Sequence, residues 1–233
     1  LIAALKIVDR GDLTPDQMRG PWAGEMGQLQ FLPSHYYDYG VDFDGNGRVD
    51  LLRSTPDALA SAANYLSSIG WRRGEPWLQE VVVPENFPWE MADLTIRFPR
   101  SEWVAAGVKA RSGSLPADGL EAALLLPMGR NGPAFLAYRN FDMLLEWNSS
   151  LVYTTSAGYF ATRIDGAPKV QRGGQINHLS ASEVAQLQKI LARKGYDVGK
   201  VDGIIGEKTR AAVKRVQLEL GMPADSYPTK ELL

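Results

Sequence analysis

The 233-residue sequence contains no cysteine. That excludes a disulfide scaffold, thiolate metal sites and a cysteine nucleophile. It does not fix the compartment, because a well-cored domain needs no staples anywhere. Histidine is scarce as well. His35 and His178 lie far apart, without the spacing of a metal site or a catalytic triad, and both read as surface residues. No apolar run approaches the roughly 18–20 residues that span a bilayer. Neither sign of charge dominates, and a formal net charge of −2 gives no basic stripe for a nucleic-acid partner. Low-complexity tracts and internal repeats are also missing. What remains is ordinary globular composition, 45% hydrophobic and 22% charged.

The chain opens on Leu1-Ile2-Ala3-Ala4-Leu5-Lys6-Ile7-Val8, with Leu1, Ala4, Leu5 and Val8 on one helical face. It carries no initiator Met, basic segment or small-residue cleavage site there, so it is expected to be a piece of a longer protein. At the other end, Ser180 and Glu183 have capping-box spacing. Val184, Leu187, Ile190 and Leu191 follow as an apolar stripe, and Gly195 suits a helix stop. A second helix is expected over roughly 207–220 and a short third one after Pro228, giving a three-helix unit at 179–233. Residues 163–178 hold Gly166, Pro168, Gly173 and Gly174 with little apolar periodicity, and read as a linker. Residues 1–162 form the main domain. Helices are expected there near 1–8, 55–69, 117–125 and 133–146, with two short strands at Glu80–Val83 and Leu94–Phe98. The class is mainly α, with a small two-strand element.

Two motifs carry chemistry. Asp42-Phe43-Asp44-Gly45-Asn46-Gly47-Arg48 repeats the first half of an EF-hand calcium loop, with oxygen donors at positions 1, 3 and 5, Gly at 6 and a backbone carbonyl, that of Arg48, at 7. Position 12, where a bidentate Glu belongs, is Arg53, and Asp57 is the nearest substitute. The metal set is therefore Asp42, Asp44, Asn46, Arg48 and Asp57, and the ion, Ca2+, would be structural. The alternative is an Asp/Gly-rich turn, with Asp57 complementing a helix N-terminus. The second motif, residues 20–34, places three glycines within eight residues beside aromatics, so backbone can approach a ligand closely. It lacks the Lys-Ser/Thr of a phosphate loop.

Residues 22–43, WAGEMGQLQFLPSHYYDYGVDF, then the Asp-rich loop and Ala63-Asn64-Tyr65-Leu66 through Gly70-Trp71, resemble the lytic murein transglycosylases of the B type. Leu126-Pro127-Met128-Gly129, Gly132-Pro133-Ala134-Phe135-Leu136, Tyr138-Arg139-Asn140-Phe141 and Trp147-Asn148-Ser149-Ser150 continue the match in order. The tail, with Leu187-Gln188, Gly195-Tyr196, Asp202-Gly203, Thr209 and Gln217, is similar to the small peptidoglycan-binding domain of wall enzymes. The resemblance implies a lysozyme-like helical fold. It also implies cleavage of the β-1,4 bond between N-acetylmuramic acid and N-acetylglucosamine, leaving a 1,6-anhydro-muramyl end. One Glu would act as acid and then as base, which needs a raised pKa but no second carboxylate and no cofactor.

In that family the catalytic Glu lies in a helix before the segment that opens this chain, so it is expected upstream of Leu1. Glu25, where the family typically has a small residue, is a weak candidate. Gln30 matches a sugar-lining Gln, Tyr65 a cleft Tyr, and Tyr138 and Asn140 a second aromatic-polar wall. Trp22 is the tryptophan best placed to stack on a sugar, whereas Trp71, Trp103 and Trp147 read as core. Pro21 stands where the family often has Ser. The partner implied is peptidoglycan glycan, met by an exported, periplasmic or envelope-associated monomer. Three alternatives remain: a non-catalytic wall-binding protein, a lysozyme-type hydrolase, and a calcium-regulated protein with no glycan role.

Overall fold

A computed structural model describes all 233 residues and resolves them into two compact units, residues 1–73 and 74–233. The first is helical. It contains α1 (Ile2–Asp9), α2 (Pro33–Tyr39) and α3 (Thr55–Ser68). Pro33 and Pro56 stand in the first turns of α2 and α3, where a missing N–H costs nothing. Ser54 caps α3 by accepting from the Asp57 amide, and Ala58, Ser61 and Tyr65 line its buried face at 3–4 spacing. The expected stripe on α1 is corrected: Leu1 and Leu5 are exposed, and Ile7 is the buried residue.

The second unit is built on a five-stranded antiparallel sheet in the order β2-β4-β5-β1-β3. Its strands are β1 (Leu78–Val82), β2 (Phe98–Pro99), β3 (Lys109–Ala110), β4 (Glu121–Leu125) and β5 (Ala134–Tyr138). Around it lie α4 (Arg100–Ala105), α5 (Arg139–Trp147) and α6 (Leu151–Ile164). Three expectations are corrected here. Within 117–125 residues 121–125 are a strand, as is the start of 133–146, and neither is a helix; of Leu94–Phe98 only Phe98 joins a strand, β2. The reason lies in two-sided burial. Ala122, Leu124, Leu136 and Tyr138 enter one core with Trp103 and Phe87, while Leu125, Phe135 and Ala137 enter another with Phe141. Strands covered on both faces lose their polar alternation, and a short apolar run then looks the same as a buried helix.

The C-terminal stretch folds as α7 (Ala181–Arg193) and α8 (Glu207–Glu219). The Ser180/Glu183 capping box is formed on both sides. Gln188 is fully buried and spends its whole amide: its nitrogen donates to the Ile204 carbonyl and Thr209 hydroxyl, and its oxygen accepts from the Asp202 and Gly203 amides. The third helix expected after Pro228 does not form, and only a turn stands there; residues 224–228 before it are a buried coil held by Gln217.

The stretch expected to be a linker is tied down along its length. The Val170 amide donates to the Tyr159 hydroxyl, Gln171 to the Glu80 carboxylate, and Gly174 to the Asn131 carbonyl. From α8, Arg210 donates to the Leu126 carbonyl at 2.6 Å and Lys214, 9% exposed, meets Asp93 at 2.9 Å. Burial opposes the Asp93 charge, but the Thr95 amide and the Lys214 ammonium outweigh it and hold the carboxyl below its ordinary value. That contribution is complete above the usual carboxylate range and is lost as pH falls through the folded value. Asp93→Ala strands a nearly buried ammonium and is expected to cost about 2–3 kcal/mol. Urea midpoints measured between pH 7 and pH 3 should fall less steeply in this variant than in the parent. Parallel curves would refute the pair.

Candidate functional site

The glycine-rich loop is organised by a bridge between Met26 and Phe31, whose amides and carbonyls exchange hydrogen bonds at 2.8 and 2.9 Å. The four residues between them form a tight turn laid on the Leu51 carbonyl, to which the Gln28 amide donates at 2.9 Å. Gly27 is required there. Its φ is +78°, and a Cβ would stand 2.5 Å from the Leu51 oxygen. The turn carries Gln30 outward at φ +55°, one of two non-glycine residues in the left-handed region. Such a conformation costs about 1 kcal/mol or more, and it persists where the surroundings over-determine it. The Gln30 side-chain amide donates to the Gly27 carbonyl, and the residue is exposed. Earlier in the same loop, Trp22 is 100% exposed.

Under this turn lies an aromatic cluster. Tyr65 stacks on His35 at 4.7 Å and packs against Tyr39 and Phe31 at 5.0 and 6.2 Å. Tyr65 is buried at 6% exposure and packs under the loop against Phe31. One reading changes: half-buried His35 belongs to the cluster rather than to the open surface. His178 is exposed, as expected, with a ring nitrogen 3.1 Å from the Tyr227 hydroxyl. Glu25 is half-buried, and one of its carboxylate oxygens is enclosed without a hydrogen-bond partner.

Tyr138 and Asn140 are enclosed in the same way as Tyr65. Both are fully buried. The Tyr138 hydroxyl donates to the Gln79 side chain at 2.7 Å, and the Asn140 amide donates to the Glu75 carbonyl at 2.8 Å. They sit at the junction of a central strand and α5, where packing claims both side chains. Trp103 is core, as expected, and Trp71 and Trp147 are partly buried.

The Asp-rich loop folds around its own carboxylates. Asp42 accepts from the Gly45, Asn46 and Gly47 amides, and Asn46 accepts from the Arg48 amide. Arg48 itself is exposed, and its side chain pairs with Asp50. Asp57, 0% exposed, reaches back from α3 to the Phe43 and Asp50 amides at 3.0 and 2.9 Å. Carboxylate oxygens of Asp42, Asp44 and Asp57 consequently lie within 4.8 Å of one another. Three hard anionic donors at that spacing suit calcium. Sequence reading missed the supports of this loop. The buried Tyr36 hydroxyl donates to the Val49 carbonyl at 2.7 Å, and Asp12 accepts from the Val49 amide. Burial pushes the Tyr36 phenol up to about 12, so it remains a donor. No local motif marks either residue, because each acts on a strand of chain far from it in sequence.

The sequence model of the transglycosylase SLT domain family matches residues 1–162. The chain belongs to this family. A second model, of a peptidoglycan binding domain, matches residues 180–233. Membrane-bound lytic murein transglycosylase B of Escherichia coli (strain K12) is 32% identical over 142 residues, covering 60% of this chain and 37% of that protein. SltB3 from Pseudomonas aeruginosa, in a crystal structure with NAG-anhNAM-pentapeptide, is 46% identical with a TM-score of 0.87, covering 100% of this chain and 63% of that one. Slt35 of Escherichia coli, in complex with calcium, is 27% identical with a TM-score of 0.57, covering 70% of this chain and 51% of that one. This chain therefore spans less than two thirds of each of these relatives. The lysozyme-like SLT fold and the helical binding domain are both borne out. The alternative of a non-catalytic wall-binding protein finds no support in these matches. No helix is long and apolar enough to cross a membrane.

Proposed function

We propose that this chain acts on peptidoglycan glycan strands as part of a lytic transglycosylase. It would cleave the MurNAc-β-1,4-GlcNAc bond and form 1,6-anhydroMurNAc ends during wall remodelling. The observation that supports the reading is the likeness of this whole chain, at 46% identity, to 63% of a protein crystallised in complex with NAG-anhNAM-pentapeptide. In this reading residues 1–162 are the transglycosylase domain, 163–178 the connecting segment and 179–233 the wall-binding domain of an exported, monomeric enzyme. The proton donor is a Glu N-terminal to this stretch, as the family resemblance implies, and Glu25 is not given that role. Trp22 offers an open ring face to a sugar, and Gln30 an amide whose donor and acceptor suit acetamido and hydroxyl groups. A calcium ion held by Asp42, Asp44, Asp57, the Asn46 side chain and the Arg48 carbonyl would fix the loop to α3. It would take no part in the chemistry.

Mass analysis of sacculi digested by the full-length enzyme tests the reaction. Products lighter than hydrolysis products by one water are expected, whereas reducing ends would make the enzyme a hydrolase. Gln30→Ala should lower kcat/KM by about 10- to 100-fold, equivalent to roughly 1.4–2.8 kcal/mol. Trp22→Ala should act mainly through KM. Unchanged kinetics in both variants would remove this loop from the site.

A further inference from the structure

Three stretches distant in sequence meet around one pocket of the second unit: the turn at 128–131, residues 176–177 ahead of α7, and residues 222–231 after α8. Its volume is about 170 Å³. Pockets that enclose a whole small molecule run to roughly 300–1,000 Å³, so this one suits a single residue or a chain end.

The floor is fixed in advance. Gln217 and Asp225 are 3% and 5% exposed. The Gln217 amide donates to the Asp225 carboxylate at 2.8 Å and to the Tyr227 carbonyl at 3.2 Å, and its oxygen accepts from the Ser226 amide. The second Asp225 oxygen accepts from the Arg130 backbone amide at 2.8 Å, which joins the tail to the 128–131 turn. Two conformational costs are concentrated here. Ser226 is held at φ +64°, and Gly129, at φ +74°, would bring a Cβ within 2.8 Å of Tyr227 and 2.9 Å of Asp225. Strain of this kind clusters at ligand sites. At the rim, Arg130 and Glu231, both exposed, line the same concavity, and neither is in an ion pair. A neutral glycan would call for an open aromatic platform, and the one ring here, Tyr227, is buried.

We propose that this pocket binds the end of a short peptide bearing a free carboxylate and an ammonium, the first set against Arg130 and the second against Glu231. The proposal rests on the wall-polymer reading, since the peptide stems of peptidoglycan carry both groups. It makes the junction of the sheet and the C-terminal module a peptide-reading site, distinct from the loop around Gln30.

Calorimetric titration of the full-length protein with a synthetic stem, L-Ala-γ-D-Glu-meso-diaminopimelate-D-Ala, provides the test, with a peptide-free N-acetylglucosamine oligosaccharide and sacculi as companions. The peptide is expected to bind. Arg130→Gln, and separately amidation of the peptide carboxylates, should each weaken binding by about 5- to 10-fold. With the L-Ala amine acetylated throughout, as it is acylated in the wall, Glu231→Gln should weaken binding of the peptide with a free diaminopimelate amine but not of the form acetylated there, and oligosaccharide binding should stay unchanged in both variants. Both side chains are exposed, so circular dichroism should show intact folding. Equal peptide affinity in Arg130→Gln, or no peptide binding by a protein that still binds sacculi, overturns the pocket alone. A protein that binds neither peptide nor sacculi overturns the wall reading with it.

Discussion

Asp57→Asn should destabilise the first unit by about 2–4 kcal/mol and abolish any stabilisation by calcium. Both carboxylate oxygens of this fully buried side chain are engaged, one by the Phe43 amide and one by the Asp50 amide. An Asn side chain can accept at one of those places. At the other its NH2 would face an N–H, leaving a buried donor unsatisfied at a cost of about 1–3 kcal/mol beyond the lost bond. The carboxyl already lies below its ordinary value: burial acts against the charge, and the Asp50, Phe43 and Asp44 amides more than offset it. Its contribution is therefore present above the usual Asp range near 4 and disappears as pH falls through the folded value. Thermal melts with and without millimolar calcium, at pH 7 and again near pH 3, separate these effects. The parent should gain stability from calcium at pH 7 and less at pH 3, and the variant should gain none at either. A variant that melts with the parent would deny Asp57 its place as the hub of the loop. A variant that still responds to calcium would move the ion elsewhere.

Trp103→Ala should cost about 3–5 kcal/mol, the most of any single truncation in the second unit. The indole is 0% exposed and packs against Phe87 and Phe98. Its N–H is shared by the carbonyls of Phe98 and Ala122, at 3.1 and 3.0 Å. Those two residues are register partners of β2 and β4, so one side chain both fills the core and ties the sheet's edge strand to its neighbour. Trp103→Phe keeps most of the volume and loses the N–H, and should cost about 1–2 kcal/mol. Urea unfolding of the two variants divides packing from hydrogen bonding. A Trp103→Phe midpoint equal to the parent's would mean that the shared N–H contributes nothing.

Local signals in the sequence transferred well where the interaction closes within a few residues. The Ser180/Glu183 capping box and the carboxylate turn at 42–47 were both legible, because each pairs side chains with amides three to five positions away. The family motifs were legible for a similar reason: they are runs of adjacent residues. Strand assignment failed at 121–125 and 134–138, where burial on both faces erased the alternation that marks a half-exposed strand.

Tertiary structure alone decided which side chains are open. Tyr65, Tyr138 and Asn140 share chemical types with Trp22 and Gln30, yet the first three are enclosed by partners far along the chain while the last two face outward. It also decided that the glycine-rich stretch at 163–178 is bound rather than loose, through Glu80, Asn131 and Tyr159, and that Arg130 and Glu231 share a rim. Sequence by itself set the backbone menu, the caps, the donor residues of the Asp loop and the family. Exposure and convergence depend on contacts between residues tens of positions apart, and no local pattern encodes which of two chemically similar side chains the rest of the chain will cover.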